Sequence, residues 1–459
     1  MNLAIKSKIY STDNYVLFVL FHIVLGILLY EFDFLNTVYF VFILFFFLFR
    51  ILFSSKEDKT IEILMACAYF TGIEVLFRMT KGGLSYEASK YLVIIFTTIG
   101  IFYKGISGKS YPYFAFLILL VPAIIVASVT LTYGARFRTN VAFVLSGPVC
   151  LGIASLFCFD RKITQKQVLD ILLYILLPCI TTTTYLFLYT PSLKGLLSGT
   201  ASNSATSGGF GPNQVATILG LGVFIIIVRL FLQSNSLRFK ILNLIILGAM
   251  SFRAIVTFSR GGVVAAVIIV IIFLGAIFYR SSKKQVNQLI QVSFLLGFAL
   301  VLVWGVSSNQ TDGLIDMRYV NKDHLGREKK DITTGRWHLF MEEVDGFLES
   351  PFLGIGASRV KNKRVEAYGR HLPSHNEIGR LLSEHGFLGI IILLILVFTP
   401  ISFRSRNKKN MFFYAFLGFW FATINHSGMR IAAPSFIYAL ALLNITNEKN
   451  PLRRKQLKK

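Results

Sequence analysis

Residues 374–389 read SHNEIGRLLSEHGFLG, which puts His375 at the head of a short amphipathic segment running directly into an apolar stretch. The S-x-x-E spacing of Ser374 and Glu377 predicts a capping box, with Ser374 as N-cap and His375 as the first helical residue. There the helix dipole favours neutral imidazole, which near pH 7 can accept a proton as a general base must. A polar residue that merely faces water is the plain alternative. Ile378, Leu381 and Leu382 give the helix one apolar face, and Gly386 can end it. Arg260, in FSRGG (258–262), joins two apolar runs, and Arg336, in TTGRWHLF (333–340), opens an amphipathic pattern of Trp337, Phe340, Met341 and Val344. Guanidinium grips phosphate oxygens with a planar fork and stays charged at physiological pH. Arg253 lies inside an apolar run, where a charge is costly and marks either function or a paired structural role. His371 and His375 are four apart and a helix would align them for zinc. Pro373 between them argues against that helix, and with no cysteine or third histidine nearby no metal is expected.

The elements that must position these residues are membrane helices. The chain of 459 residues is 54% hydrophobic and 15% charged, against about 25% charged in a soluble protein. Apolar runs fall at 14–31, 35–53, 61–78, 89–103, 111–132, 140–158, 167–189, 213–232, 239–257, 262–280, 288–307, 387–402, 411–425 and 431–446. A hydrocarbon core of about 30 Å needs about 20 such residues as a helix. The prediction is an all-α polytopic protein with twelve to fourteen transmembrane helices. The first run lacks a cleavage-like site and is expected to be retained. Cys67, Cys150, Cys158 and Cys179 all sit in apolar runs and are expected as small core residues.

The net charge of +24 is topological rather than a nucleic-acid signal. With a cytoplasmic N-terminus, the inside segments hold 26 Lys and Arg, from Lys6 to Lys459, and the short outside segments hold eight. That is the bias of a multi-pass protein with both termini cytoplasmic. Outside lie a Ser/Thr/Gly-rich stretch at 190–212 and one large loop at 308–386 with twelve basic and twelve acidic residues. A loop that long between membrane helices is usually functional. The expected division is N-terminal helices at 1–189, a core at 190–402 and C-terminal helices with a basic tail at 403–459. In that loop, Pro351, Gly354 and Gly356 of SPFLGIGASR (350–359) form a turn, or let backbone approach a ligand. His426 and Arg430, on the same side, could line a cavity.

His375-Asn376, nine residues, then Gly386-x-x-Gly389 resembles the H-N-x9-G-x-x-G signature of bacterial O-antigen ligases and their polymerase relatives. The order GFGPNQVA (209–216), SRGG (259–262), TGR (334–336), SPFLGIG (350–356) and HN (375–376) is similar to that superfamily over roughly residues 200–390. The resemblance implies a GT-C-like membrane glycosyltransferase with an extracytoplasmic active site in the bacterial inner membrane. It would take a glycan from undecaprenyl diphosphate and pass it to the lipid A core or another glycan, without metal, nucleotide or other cofactor. His375 would match the family's histidine, Arg260 and Arg336 its diphosphate-binding arginines, and Asn213 and Asn376 its motif asparagines. A repeat-unit polymerase of O-antigen, capsule or exopolysaccharide fits the same motifs. The rival from another class is a transporter, for which Arg253 and Glu74 would be the intramembrane ionisable groups. A membrane scaffold is a third reading.

Overall fold

A computed structural model describes residues 14–132, 136–234, 236–370, 372, 374–406 and 409–446. Residues 1–13, His371 and the basic tail after 446 lie outside the described residues. Each apolar run coincides with helix, from Tyr15–Glu31 to Ala432–Ala441. Among the described residues, nine helical stretches are long and apolar enough to cross a membrane, and Tyr15–Glu31, Phe413–Ile424 and Ala432–Ala441 are shorter apolar helices. The fold is all-α. Sheet among the described residues is confined to two named strands, Lys162–Thr164 pairing in parallel with Asn444–Thr446. The run at 111–132 divides into Tyr111–Leu119 and Val121–Thr130 because Pro122 has no N–H for the helical ladder.

The connections gather at two opposite ends. Lys162–Thr164 meets Asn444–Thr446 at one end, where Arg280 also donates to the Lys409 carbonyl (3.2 Å) and Arg161 to that of Lys104 (3.2 Å). The large loop caps the other end. It carries the helices Leu314–Tyr319, Arg336–Glu349, Arg359–Tyr368 and Glu377–His385. Thr130 donates to the Ile355 carbonyl (2.9 Å), which ties the loop to the bundle, and Asn203 N–H to that of Thr257 (3.3 Å), which ties the Ser/Thr/Gly-rich stretch to it.

Two local expectations are corrected. Asn376, not Ser374, caps the helix Glu377–His385: its Oδ1 accepts from the N–H groups of Ile378 (2.8 Å) and Gly379 (3.2 Å). Ser374 Oγ instead pairs with the backbone of Asn376, so His375 lies before the helix rather than in its first turn. The helix Arg336–Glu349 does not bury its Trp337–Met341 stripe, for Trp337 is 62% exposed. It buries Glu343 and Gly346, and Gly346 and Gly379 bring it close to Glu377–His385.

The SPFLGIG glycines serve chain packing. Gly354 (φ 75°) lies against the backbone of Glu384 and His385, and Gly356 (φ 100°) against that of Ala127. Both are left-handed and too crowded for a side chain. Gly354→Ala is therefore expected to destabilise the fold by about 1–3 kcal/mol or more. A clear fall in the melting temperature of the detergent-purified protein checks this, and an unchanged value contradicts it.

Candidate active site

At the loop end, a cleft of about 420 Å³ opens between the bundle and the loop. Its walls carry Arg260, Arg318, Arg336, Trp337, Glu343, His375, Asn376 and Asn425. Each group is placed by a motif whose local reason is visible. Asn213 follows Pro212 at the start of the helix Pro212–Leu232, and its Oδ1 accepts from Ser259 Oγ (2.7 Å). Ser259 is the N-cap residue of Arg260–Arg280, so Asn213 holds the residue beside Arg260. Gly261 and Gly262 let that helix's first turn approach His426 and Ala216, where a Cβ would collide. Arg336 begins its helix after Thr334 and Gly335, both left-handed (φ 54° and 83°), in a turn stabilised by Asp331 accepting from the N–H groups of Thr333 (2.7 Å) and Gly335 (2.5 Å).

The three arginines are uncompensated. Among the described residues none of Arg260, Arg318 and Arg336 forms an ion pair with a carboxylate. Arg260 Nη2 donates to the Ile332 carbonyl (2.8 Å) and Arg318 Nε to that of Phe258 (3.2 Å). They are close enough to act on one another. Burial pushes Arg318 down to about 10, helped by repulsion from Arg260 and Arg336. Burial also lowers Arg336, with Arg260 adding to it. Glu343 does little to balance them, since burial raises its carboxyl to about 7 and its Oε1 already accepts from Arg364 (3.2 Å).

His375 is half-buried in the same cleft. Burial holds its pKa down to about 3, and the charges of Arg430 and Arg336 push the same way. The expected neutral imidazole is thus present, but its cause is burial and two cations rather than a helix dipole. Nδ1 is buried without a hydrogen-bond partner among the described residues.

The cleft unites His375, Arg260, Arg336 and Asn376, although the Asn376 carbonyl oxygen is spent on capping. Arg253 and Asn213 do not line it. Arg253 is buried, donates to the carbonyls of Thr190 (3.3 Å) and Thr206 (3.2 Å), and so ties down the Ser/Thr/Gly-rich stretch. Glu74 pairs with Arg78 (2.5 Å) and accepts from Ala432 N–H (2.6 Å). No group of three or more His, Cys, Asp or Glu is placed to hold a metal among the described residues. Sequence reasoning missed Arg318 and Glu343. Arg318 lies in DMRYVN, with no motif to single it out from the other basic loop residues.

Fold and cleft together define a polytopic membrane protein with an arginine-lined cleft at one end. A family model described as O-antigen ligase matches residues 244–394, about a third of the chain, and this segment contains Arg260, Arg318, Arg336 and His375. The match supports the O-antigen ligase superfamily and membrane glycan biosynthesis of that type. No curated protein matches the chain.

An unpaired trio of arginines should bind a diphosphate even without the rest of a substrate. Inorganic pyrophosphate is expected to raise the melting temperature of the purified protein. Arg318→Ala and Arg336→Ala should each weaken that effect about ten- to hundredfold in apparent affinity, since a hydrogen bond to a charged group is worth about 1.5–3 kcal/mol. A melting temperature indifferent to pyrophosphate would count against the assignment.

Proposed function

We propose that this protein is a membrane glycosyltransferase that moves a glycan from undecaprenyl diphosphate to an acceptor hydroxyl at the outer face of the bacterial inner membrane, in the manner of an O-antigen ligase. The reading is carried by one observation: three guanidinium groups without carboxylate partners share a cleft with a neutral imidazole. The positive-inside rule assigns the cleft end to the outside, because the basic connections meet at the opposite end.

In this mechanism Arg260, Arg318 and Arg336 hold the donor's diphosphate and stabilise the charge that grows on it as the anomeric C–O bond breaks. His375 accepts the proton of the attacking hydroxyl. After burial and Arg430, the charge of Arg336 also depresses the imidazole's basicity. A bound diphosphate offsets that charge and so relieves part of the depression, the rest of which comes from burial and Arg430. The lipid carrier lies in the bilayer beside the cleft, and the acceptor is the lipid A core or a second glycan.

His375→Ala, Arg260→Ala and Arg336→Ala are each expected to abolish surface-glycan transfer in cells while the protein still inserts. In vitro, each arginine loss should slow transfer about 30- to 1000-fold, or about 2–4 kcal/mol of barrier. Normal glycan on a gel in all three mutants refutes the proposal.

The pH profile follows from His375. Its pKa lies below that of free histidine, so the free enzyme keeps a neutral imidazole as the pH falls through 6.5. The kcat/KM of transfer, which reports the free enzyme, is expected to stay flat between about pH 5 and 7. A limb at about 6.5 in the parent enzyme would contradict a depressed imidazole.

A further inference from the structure

The turn between the helices Phe413–Ile424 and Ala432–Ala441 lies outside the family match, yet it packs beside Arg260 and reaches the backbone next to His375. Its His426 ring sits against Gly261, beside Arg260, with Nε2 3.2 Å from Thr217 Oγ1 and Nδ1 2.9 Å from the Ala422 carbonyl. Its Asn425 lines the cleft. Its Arg430 reaches behind the cleft, and Nη2 donates to the carbonyl of Ser374, the residue before His375. The turn is clamped from the N-terminal bundle: Arg78 Nη2 donates to the Arg430 carbonyl (3.0 Å), Arg78 pairs with Glu74 (2.5 Å), and Glu74 Oε2 accepts from Ala432 N–H (2.6 Å). The Glu74–Arg78 pair thus grips the turn on both sides of Ile431, Arg78 at the Arg430 carbonyl and Glu74 at Ala432 N–H.

Arg430 has the position of a support rather than of a ligand group. It does not line the 420 Å³ cleft. It faces a space of about 30 Å³ behind His375, shared with Ser374, Glu377 and Arg380. A half-buried guanidinium set against a single backbone carbonyl is a costly way to hold a loop, because desolvation is not repaid by an ion pair in contact. What it supplies is a fixed place for one peptide unit, and that unit carries the imidazole.

We infer that Arg430, clamped by the Glu74–Arg78 pair, is a positioning residue that fixes the Ser374–His375 backbone and so aims the imidazole into the cleft. The inference rests on the glycan-transfer reading, since it takes His375 as the base. It also assigns a role in the site to helices far outside the matched segment: Glu74 and Arg78 belong to Lys59–Thr80. A displaced base loses its transition-state contact while donor binding on the arginines persists.

The test uses the full-length protein in lipid nanodiscs, with a lipid extract from cells lacking the gene as the source of donor and acceptor. Varying the extract gives a maximal rate and a half-saturating amount. Arg430→Met is expected to lower the maximal rate about a hundredfold, the scale of a lost general base, with half-saturation within about threefold of the parent. Arg430→Lys, which keeps one charged donor, should recover about tenfold of that loss. A maximal rate retained in Arg430→Met overturns the inference. So does a raised half-saturation at full rate, which would make Arg430 a donor-binding group. If Arg430→Met does not fold, Arg430→Lys decides: folded and slowed at least fivefold supports the inference, folded at full rate overturns it. His375→Ala runs beside them. If it transfers normally, the glycan-transfer reading falls; if it is dead while Arg430→Met is active, only the positioning role falls.

Discussion

Like charges held together govern this structure. Arg260, Arg318 and Arg336 share one cleft, and with no anion bound they raise one another's energy. The fold holds them by a reciprocal crossing. Arg260, from the membrane helix, donates to Ile332 in the loop, while Arg318, from the loop, donates to Phe258 in the turn before that helix. Each arginine is anchored in the element opposite its own, so the loop cannot lift without releasing both. The cleft and the docking of the loop are one interaction.

The loop unit is stiffened by ion pairs withdrawn from water. Arg364 meets Glu342 (2.7 Å) and Glu343 (3.2 Å), joining the helix Arg359–Tyr368 to Arg336–Glu349. Arg380 meets Glu377 and Glu384 within its own helix, with the second contact at 2.8 Å. Such pairs add little net stability, but breaking one leaves an uncompensated buried charge, so they fix geometry. The equal twelve and twelve charges of the loop read as a solvated surface, whereas Arg364, Glu343, Arg380 and Glu384 are interior.

That contrast marks where the sequence stops being legible. Span positions follow from apolar length, a local property, and each expected run is helical. The sidedness that groups His375 with Arg260 and Arg336 follows from counting crossings, and the cleft contains all three. Caps and faces were harder to foresee. Ser374 and Glu377 have capping-box spacing, but Asn376 is nearer and offers a carbonyl oxygen to two N–H groups. Trp337, Phe340 and Met341 have helical spacing, but Gly346 and Gly379 permit a closer approach on another face, and proximity outweighs apolar area there. Arg318 and the clamp on Arg430 depend on contacts across 60 and 352 positions, which no local pattern encodes.

Arg253 and Glu74 show how the same residue types serve different ends. An ionisable group in an apolar run suggests a transport path, because its cost must be repaid by function or by partners. Here the partners are visible. Arg253 spends its Nη groups on the carbonyls of Thr190 and Thr206, satisfying loop backbone that would otherwise be buried without donors. Glu74 neutralises Arg78 and caps the start of the last helix through Ala432. Both sit near the loop end of the bundle, on the side where the cleft opens. A path through the membrane needs polar groups at successive depths with exits at both ends, and these two instead fasten loops at one end. At these two positions intramembrane charge fastens the stretches of chain that surround the loop end of the bundle.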